Sequence, residues 1–296
     1  MLSLDDLTTE QANPHTSDLD ILPLDEALRR LNDEDQRVPE AVREEIPQIA
    51  RAVELVEKAL RAGGRLIYVG AGTSGRLGCL DASEIPPTYG LDPDRVIGII
   101  AGGDTALRKS IEGAEDSLAD GAAVISGLGV DERDVVCGIA ASGRTPFVLG
   151  AMEEGRRRGA ATVGVTTNRP SEMEPLADVL IAPVVGPEPV SGSTRMKSGT
   201  AQKLVLNMLT TMAMVRVGKT YGNLMVDLRA TNKKLVRRAK RLIAQVTGVD
   251  EGEAERLFDA SEGDTKLAIL MGLTGLDAGS AKERLEASGG VLRRAV

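Results

Sequence analysis

Residues 66–76 read LIYVGAGTSGR, a short apolar run that passes directly into a glycine-rich turn. Four further apolar runs, rich in β-branched residues and separated by helix-length stretches, lie at 96–100, 135–140, 162–166 and 179–182. Buried parallel strands are continuous apolar runs of this kind, and the stretches between them supply the crossover helices. The sequence therefore predicts an α/β fold built on a doubly wound, mostly parallel sheet of about five strands.

Helical patterns flank these strands on both sides. Before them we expect a short helix over 24–31, ended by 32–35, and a long amphipathic helix from about Ala41 to Arg61. After Lys197 the pattern is helical throughout, with expected helices at 199–217, 224–246, 251–260, 265–273 and 278–287. The expected N-caps of the last three are Asp250, Asp264 and Asp277. We divide the chain into an N-terminal arm and helix (1–55), a sheet domain (56–219) and a C-terminal helical module (220–296).

The composition argues against several classes of protein. Aromatic residues make up 2% of the 296 residues and the formal net charge is −8, so a nucleic-acid partner is not expected. His15, Cys79 and Cys137 are too few for a structural zinc site, and His15 lies far from any glycine-rich turn that could carry a Ser-His-Asp triad. No apolar run approaches the ~20 residues of a membrane span, and residues 1–10 are acidic and unlike a signal peptide. We expect a cytoplasmic protein with no metal, no cofactor and no membrane partner.

Two turns that follow strands share the tripeptide Ser-Gly-Arg, at Ser74-Gly75-Arg76 and at Ser142-Gly143-Arg144. Serine hydroxyls and free N–H groups at helix N-termini bind phosphate, and ligands of doubly wound sheets lie at the carboxyl ends of strands. The repeated turn therefore predicts a phosphate site, although serines that merely cap their helices are common. The first turn also contains G-x-G-x-x-G, the fingerprint of a dinucleotide site. Such a site needs an uninterrupted helix after the turn and an acidic residue about 20 positions on. The sequence does not meet these requirements, so the dinucleotide interpretation is disfavoured.

A third hydroxyl-rich turn, at 186–197, precedes the first long helix of the C-terminal half. It contains Ser193, Thr194, Arg195 and Lys197, and an elaborate N-cap would explain its hydroxyls. Two cations at a helix start oppose the helix dipole, so we expect an anion nearby to compensate them.

Two groups of carboxylates could serve acid–base chemistry. Glu84 lies in the stretch 81–87, which ends in Pro86-Pro87, and we expect these prolines to cut its helix short. Glu115 lies in the stretch 112–116, which follows the second strand. Paired carboxylates can divide acid and base roles when their environments differ, but most carboxylates are simply surface charges.

At these same positions the sequence resembles a known family. The longest matching stretches are GAGTSGRLGCLDASEIPPTYG at 70–90, AASGRTP at 140–146 and GPEPVSGSTRMKSGTAQK at 186–203. Shorter matches lie at Thr9-Glu10-x-x-Asn13, 31–35, 221–227 and 230–232, so the resemblance covers essentially the whole chain. The motifs are similar to those of N-acetylmuramic acid 6-phosphate etherases, which carry a sugar isomerase (SIS) domain. The animal glucokinase regulatory protein shares the central motif, but it has a pair of SIS domains in a longer chain.

The resemblance implies that the protein cleaves the D-lactyl ether of N-acetylmuramate 6-phosphate, giving N-acetylglucosamine 6-phosphate and D-lactate. By the same resemblance the proton donor is Glu84 and the second catalytic residue is Glu115. A carbon–oxygen lyase of this type, in cell-wall sugar recycling, needs no metal or redox cofactor. The family resemblance also implies a homodimer and a C-terminal module similar to the ubiquitin-associated fold, which we interpret as packing or dimer support.

The predicted ligand is thus a phosphorylated amino sugar. The predicted contacts are Gly72, Thr73, Ser74, Gly75, Arg76, Ser83, Ser142, Gly143, Arg144, Thr145, Ser193, Thr194, Arg195 and Lys197. Two other functions stay open at this point, a catalytically silent sugar-phosphate sensor and an aldose–ketose isomerase of phosphorylated sugars.

Overall fold

The computed structural model describes residues 7–227 and 233–296. Contacts divide the chain into two compact units. The first unit comprises Met1–Ser83 and Asp94–Thr210, and the second comprises Glu84–Pro93 and Thr211–Val296. None of the described helices is both long enough and apolar enough to cross a membrane.

The first half of the chain alternates helices with parallel strands. In chain order its elements are α1 Leu24–Asp35, α2 Arg37–Glu44, α3 Ile46–Arg61, β1 Leu66–Gly70, α4 Gly72–Tyr89, β2 Val96–Ile100, α5 Asp104–Arg108, α6 Leu118–Gly127, β3 Val135–Ile139, α7 Pro146–Arg157, β4 Ala161–Val165 and β5 Val179–Ile181. The long helix α8, Lys197–Arg216, follows them.

The five strands form one parallel sheet in the order β2-β1-β3-β4-β5. This confirms the doubly wound α/β fold. Because β1 lies between β2 and β3, the chain reverses its direction across the sheet at the β1/β3 boundary. Open α/β sheets bind ligands at such a switch point, beyond the carboxyl ends of the strands. The turns after β1 and β3 therefore lie side by side at the edge where a ligand is expected.

Alternate residues of the buried strands face opposite layers of helix. Ile67 and Val69 of β1 pack in one apolar cluster with Ile125 of α6 and Phe147 of α7. Tyr68 is fully buried, and its hydroxyl donates to Asp81 Oδ2 of α4 at 3.1 Å. Burial raises the pKa of the Asp81 carboxyl above its ordinary value, although that hydrogen bond and others oppose the shift.

Helices α6 and α7 approach each other at two glycines. A Cβ atom added to Gly121 of α6 would overlap the carbonyl oxygen of Phe147, and one added to Gly150 of α7 would overlap that of Leu118. Only residues without a side chain allow the two backbones to come this close. The segment that leads into α6 is therefore held against the start of α7.

Replacing Gly121 by Ala should lower the free energy of unfolding by about 1–3 kcal/mol, because the two helices must separate to admit a methyl group. Gly127→Ala is the matched control, since a Cβ atom there, in the same helix, meets nothing within 4 Å. The control should leave stability unchanged or raise it by up to about 1 kcal/mol. Urea unfolding followed by circular dichroism measures both, and equal stabilities of the two variants would contradict the close packing.

Several helix boundaries in the first unit and in α4 differ from the sequence prediction. The helix expected over 41–61 is two helices, α2 and α3, because Pro47 lacks the N–H that would continue the hydrogen-bond ladder across Glu45. The first helix does not end at Leu31 but continues to Asp35. The prolines Pro86 and Pro87 do not cut α4, which runs through them to Tyr89. Ile85 and Tyr89, four residues apart, are buried, and this burial outweighs the two lost hydrogen bonds.

The helix expected over 224–246 begins later than predicted. Residues 220–225 form a two-stranded hairpin instead, β6 Thr220–Tyr221 and β7 Leu224–Met225, joined by Gly222-Asn223. A glycine–asparagine pair between two extended dipeptides is a hairpin turn signal that the helical interpretation overlooked. The helix α9 spans Lys233–Thr247, and the quoted motif at 230–232 lies outside the described residues.

The second unit ends in a helical module. It contains α10 Glu251–Ala260, α11 Thr265–Thr274, α12 Ala278–Ala287 and the short α13 Leu292–Ala295. Asp250, Asp264 and Asp277 cap the first three through their side chains, as predicted. Ala239, Leu242 and Ile243 of α9 are buried in the core of the module. The basic residues of α9 thus lie on the more open side of an amphipathic helix, which favours a solvated face over an anion-binding patch.

Candidate active site

The first candidate turn joins β1 directly to α4. A Cβ atom added to Gly70 would lie 2.6 Å from the backbone nitrogen of Gly75, so strand end and first helical turn are in close contact. The first N–H groups of a helix have no acceptor within it, and they carry partial positive charge. Residues 72–74 present such groups at the carboxyl end of β1, which is an arrangement suited to a phosphoryl group.

The Ser74 side chain is directed toward α8. Its hydroxyl donates to Oε1 of Gln202 at 2.9 Å, and both residues are buried. Its neighbour Thr73 touches the start of α8, with Cγ2 lying 3.4 Å from where a Cβ of Gly199 would be. The structure therefore brings the first predicted turn against the helix that follows the third one.

A cavity of about 260 Å³ opens beside this turn. Its lining includes Gly72 and Arg76 from the turn after β1, Ala101 from the end of β2, and Glu112 and Glu115 from the segment that precedes α6. Arg76 is anchored by its Nε, which donates to the carbonyl oxygen of Leu107 at 3.2 Å. Two predicted phosphate contacts, Gly72 and Arg76, and one predicted catalytic carboxylate thus line the same cavity.

The position of Glu115 follows from the packing of α6 on α7. The backbone N–H of Phe147, in the first turn of α7, donates to the carbonyl oxygen of Glu115 at 3.0 Å. The Glu115 side chain itself is exposed. The backbone at Glu115 is therefore fixed while its carboxylate stays accessible to a ligand in the cavity.

The second candidate turn follows β3. Gly143 adopts a φ of +69°, and its carbonyl oxygen accepts a hydrogen bond from Ser171 Oγ at 3.1 Å. Ser142 and Arg144 are half-buried, and Ser142 Oγ accepts from the Arg144 N–H at 3.4 Å. The N-cap of α7 is Thr145, so Ser142 does not cap that helix, and Ser74 lies inside the first turn of α4. The alternative in which both serines merely cap their helices is therefore wrong.

The third turn carries its own counter-charge. The Glu188 carboxylate is fully buried and accepts from the N–H groups of Lys197 at 2.8 Å and Ser198 at 2.9 Å. The anion that we expected at this helix start is thus supplied by the protein. Ser193 and Thr194 are half-buried and Arg195 is exposed, so their phosphate contacts remain predictions.

Lys197 does not lie on an open face of the turn. Its side chain is 0% exposed, and Nζ is 2.5 Å from Oε2 of Glu34. Asn13 Nδ2 donates to the same Glu34 carboxylate at 2.8 Å. We therefore reassign Lys197 from phosphate binding to a structural ion pair, because a buried ammonium with a bonded carboxylate is not available to a ligand.

The N-terminal arm, residues 7–22, is bound to the third turn and to the end of β4. Asn13 Nδ2 donates to Pro187 O at 3.0 Å, and Thr16 Oγ1 donates to Pro189 O at 2.8 Å. Asn168, just beyond β4, donates through Nδ2 to Thr9 Oγ1 at 3.2 Å. The N-terminal arm is therefore a brace for the turn that carries Ser193–Arg195.

Comparisons with known proteins identify the family of this chain. A family model described as "Glucokinase regulatory protein N-terminal SIS domain" matches residues 48–155. An N-acetylmuramic acid 6-phosphate etherase of Salinibacter ruber is 58% identical over 90% of this chain and 86% of its own. Another, from Mesorhizobium japonicum, is 53% identical over 100% of this chain and 96% of its own. The chain belongs to the N-acetylmuramic acid 6-phosphate etherase family. Among solved structures, a phosphoheptose isomerase from Francisella tularensis is similar at 18% identity and a TM-score of 0.49, covering 66% of this chain and 100% of that one.

Membership of the etherase family confirms the resemblance inferred from the motifs. Two residues predicted from that resemblance, Ser83 and Glu84, lie on α4. Ser83 is exposed, and its hydroxyl donates to the carbonyl oxygen of Leu80 one helical turn earlier. Glu84 is exposed on the later part of α4 and belongs to the second unit. Its pairing with Glu115 remains a prediction.

Three buried polar residues that hydrogen-bond residues of the candidate turns were missed in the sequence analysis, namely Glu34, Glu188 and Gln202. Each lies within a stretch quoted for the family resemblance, yet each is buried, and the pairings span up to 163 residues. For Glu188 and Gln202, their place within the hydroxyl-rich stretch 186–203 was the available signal, whereas Glu34 lies in LNDED, which offers none. Within 7–227 and 233–296, no cluster of three or more His, Cys, Asp or Glu side chains is arranged to hold a metal ion.

Proposed function

We propose that this chain cleaves the D-lactyl ether of N-acetylmuramate 6-phosphate, releasing D-lactate and N-acetylglucosamine 6-phosphate. The observation that carries the proposal is that Arg76 and Glu115 line the same cavity at the start of α4. A helix N-terminus and a guanidinium favour a phosphoryl group, and a carboxylate beside them can move a proton on the sugar. The names of relatives more than 50% identical over nearly the whole chain support the same reaction.

The chemistry is an elimination followed by an addition. In the open-chain sugar the aldehyde makes the C2 proton acidic, and a carboxylate base removes it. The C3–O bond then breaks, its electron pair leaves with lactate, and the lactate oxygen takes a proton. Water next adds at C3 of the unsaturated aldehyde and a proton returns to C2. We assign the proton donor to Glu84 and the second acid–base role to Glu115. Each step moves protons and electron pairs only, so general acid–base catalysis suffices.

The phosphoryl group is assigned to the paired turns at the switch point. Ser74 and Ser142 follow adjacent strands, so one anion can contact both turns. The remaining proposed contacts of the sugar phosphate are Gly72, Thr73, Gly75, Arg76, Ser83, Gly143, Arg144, Thr145, Ser193, Thr194 and Arg195. The proposal also includes a homodimer and a cytoplasmic location. Sedimentation velocity tests whether the protein is a homodimer.

The decisive experiment is turnover of N-acetylmuramate 6-phosphate in water enriched in ¹⁸O. Addition of water at C3 should place one labelled oxygen in N-acetylglucosamine 6-phosphate and none in lactate. In D₂O the same product should carry deuterium at C2. Lactate that carries the ¹⁸O would contradict the elimination, since the C3–O bond would then have stayed intact. Unphosphorylated N-acetylmuramate is the control, and it should react far more slowly.

A catalytically silent sugar-phosphate sensor is the second candidate, and the family model named for a regulatory protein favours it. It shares the phosphate site but not the chemistry. Binding of N-acetylglucosamine 6-phosphate without lactate formation, together with a sugar-gated complex with another protein, would support the sensor.

A further inference from the structure

The hydrogen bond between Ser74 and Gln202 fixes the direction of the Ser74 proton. Ser74 Oγ donates to Oε1 of Gln202 at 2.9 Å. A hydroxyl has a single proton, and an amide oxygen can only accept. In this arrangement Ser74 therefore turns lone pairs toward an incoming phosphoryl group, whose oxygens also accept. To donate to a phosphoryl oxygen, Ser74 must therefore turn its proton away from Gln202.

The other end of the same amide is unsatisfied. Gln202 is 1% exposed, and its Nε2 has no hydrogen-bond partner within the part of the chain that the structure describes. A buried donor without an acceptor is destabilising. The two ends of an amide have nearly the same shape, so a half-turn about the last side-chain bond exchanges oxygen and nitrogen. After that half-turn, Nε2 donates to Ser74 Oγ and the number of hydrogen bonds between the two residues is unchanged.

We propose that Gln202 is a positioning residue for phosphate, whose amide turns over when the ligand binds and redirects the Ser74 proton to a phosphoryl oxygen. This inference rests on the proposed function, because it places the phosphoryl group at the first turn of α4. The half-turn makes the Ser74 hydroxyl available as a donor to the ligand, and it gives the orphaned Nε2 an acceptor. Gln202 acts through Ser74 and touches no reacting atom.

Two variants of Gln202 separate this role from a structural one. Gln202→Glu keeps the acceptor for the Ser74 proton but, when ionised, offers no donor, whereas Gln202→Met removes both and leaves the proton free to turn outward. We expect the Kd for N-acetylglucosamine 6-phosphate, measured by calorimetry at pH 8, to rise about 10- to 100-fold in Gln202→Glu and only severalfold in Gln202→Met. Once the effect of the added charge is subtracted, as measured in the Ser74→Ala background, a purely structural hydrogen bond predicts the reverse order, and that order would overturn the inference.

A pH series adds a second readout. Protonation of the introduced carboxyl restores a donor, so the ratio of the Gln202→Glu Kd to the wild-type Kd should fall as pH is lowered from 8 to 5. Taking the ratio at each pH cancels the titration of the phosphate itself. A ratio that stays constant, or that falls no further than the ratio between Ser74→Ala/Gln202→Glu and Ser74→Ala, contradicts the inference. If Gln202→Glu does not fold, Gln202→Met binding more weakly than Ser74→Ala would contradict it instead.

Ser74→Ala distinguishes failure of this inference from failure of the proposed phosphate site. If Ser74→Ala binds the sugar phosphate as tightly as wild type, Ser74 does not contact the phosphoryl group and both proposals lose their site. If Ser74→Ala weakens binding while the Gln202 variants follow the structural order, only the role of Gln202 is rejected. The double variant Ser74→Ala/Gln202→Glu, compared with Ser74→Ala, measures the effect of the added charge alone.

Discussion

Replacing Glu115 by Gln should lower kcat for lactate release by about 10²- to 10⁴-fold, the range that a positioned acid–base group contributes. The amide has the shape of the carboxylate but cannot exchange a proton with the sugar. Because the backbone at Glu115 is held by Phe147 and the side chain is exposed, the substitution should not disturb the fold. The Kd for N-acetylglucosamine 6-phosphate should stay within severalfold, since the phosphoryl contacts remain. Glu84→Gln should produce a loss of similar size.

The control for this prediction is Asp116→Asn, which removes an exposed charge from the adjacent position. It should keep kcat within about twofold, as expected for a surface carboxylate away from the chemistry. Deuterium exchange at C2 of the product assigns the roles. A variant that lacks the base loses exchange together with turnover, whereas a variant that lacks only the acid retains some exchange. Full turnover in both Gln variants would reject the acid–base roles.

Replacing Lys197 by Met should lower the free energy of unfolding by about 3–5 kcal/mol, because it leaves the Glu34 carboxylate buried without its cation. Arg29→Met is the control, since Arg29 pairs with Asp25 in water, with side chains 74% and 70% exposed. An exposed pair of this kind contributes at most about 1 kcal/mol. Adding Glu34→Leu to Lys197→Met should recover part of the loss, and urea unfolding of all three measures it. A Lys197→Met protein as stable as the Arg29→Met control would contradict the buried pair.

The same pair should make stability depend on pH. Burial alone would raise the pKa of Glu34, but hydrogen bonds from Lys197 and Asn13 outweigh it and hold the pKa below the ordinary 4.5. A depressed pKa stabilises the folded state above the unfolded-state pKa, and this contribution is lost as pH falls through the folded-state pKa. In Lys197→Met the buried carboxyl should instead have a raised pKa. The stability difference between wild type and variant should therefore shrink from pH 7 to pH 4, and a constant difference would contradict the assignment.

The sequence predicted the sheet and its two serine turns well, and for a physical reason. A parallel strand buried on both faces needs an unbroken apolar run. The residues that come directly after this run form the turn, so the position of the turn follows from the position of the strand. The C-terminal caps were equally local, since Asp250, Asp264 and Asp277 each bond an N–H three residues ahead. Turn chemistry and strand composition are properties of short stretches, so both can be predicted without knowledge of the fold.

What the sequence could not supply were pairings across the chain. Nothing near Lys197 indicates that Glu34, 163 residues away, takes its charge, or that Glu188 occupies the helix start where a ligand was expected. The continuation of α4 through Pro86 and Pro87 is a second example. Local propensity argues for a break there, and burial of the neighbouring apolar residues decides otherwise.

The hydrogen bonds of Asn13 and Thr16 connect the N-terminal arm to a turn 174 and 173 residues away, so a change in the arm should alter that turn. An enzyme shortened by its first sixteen residues would keep every strand and both serine turns. It would nevertheless lose the hydrogen bonds that hold the turn carrying Ser193, Thr194 and Arg195, the proposed contacts of the sugar phosphate. Weakened substrate affinity with a nearly intact sheet is the signature to look for in such a shortened enzyme.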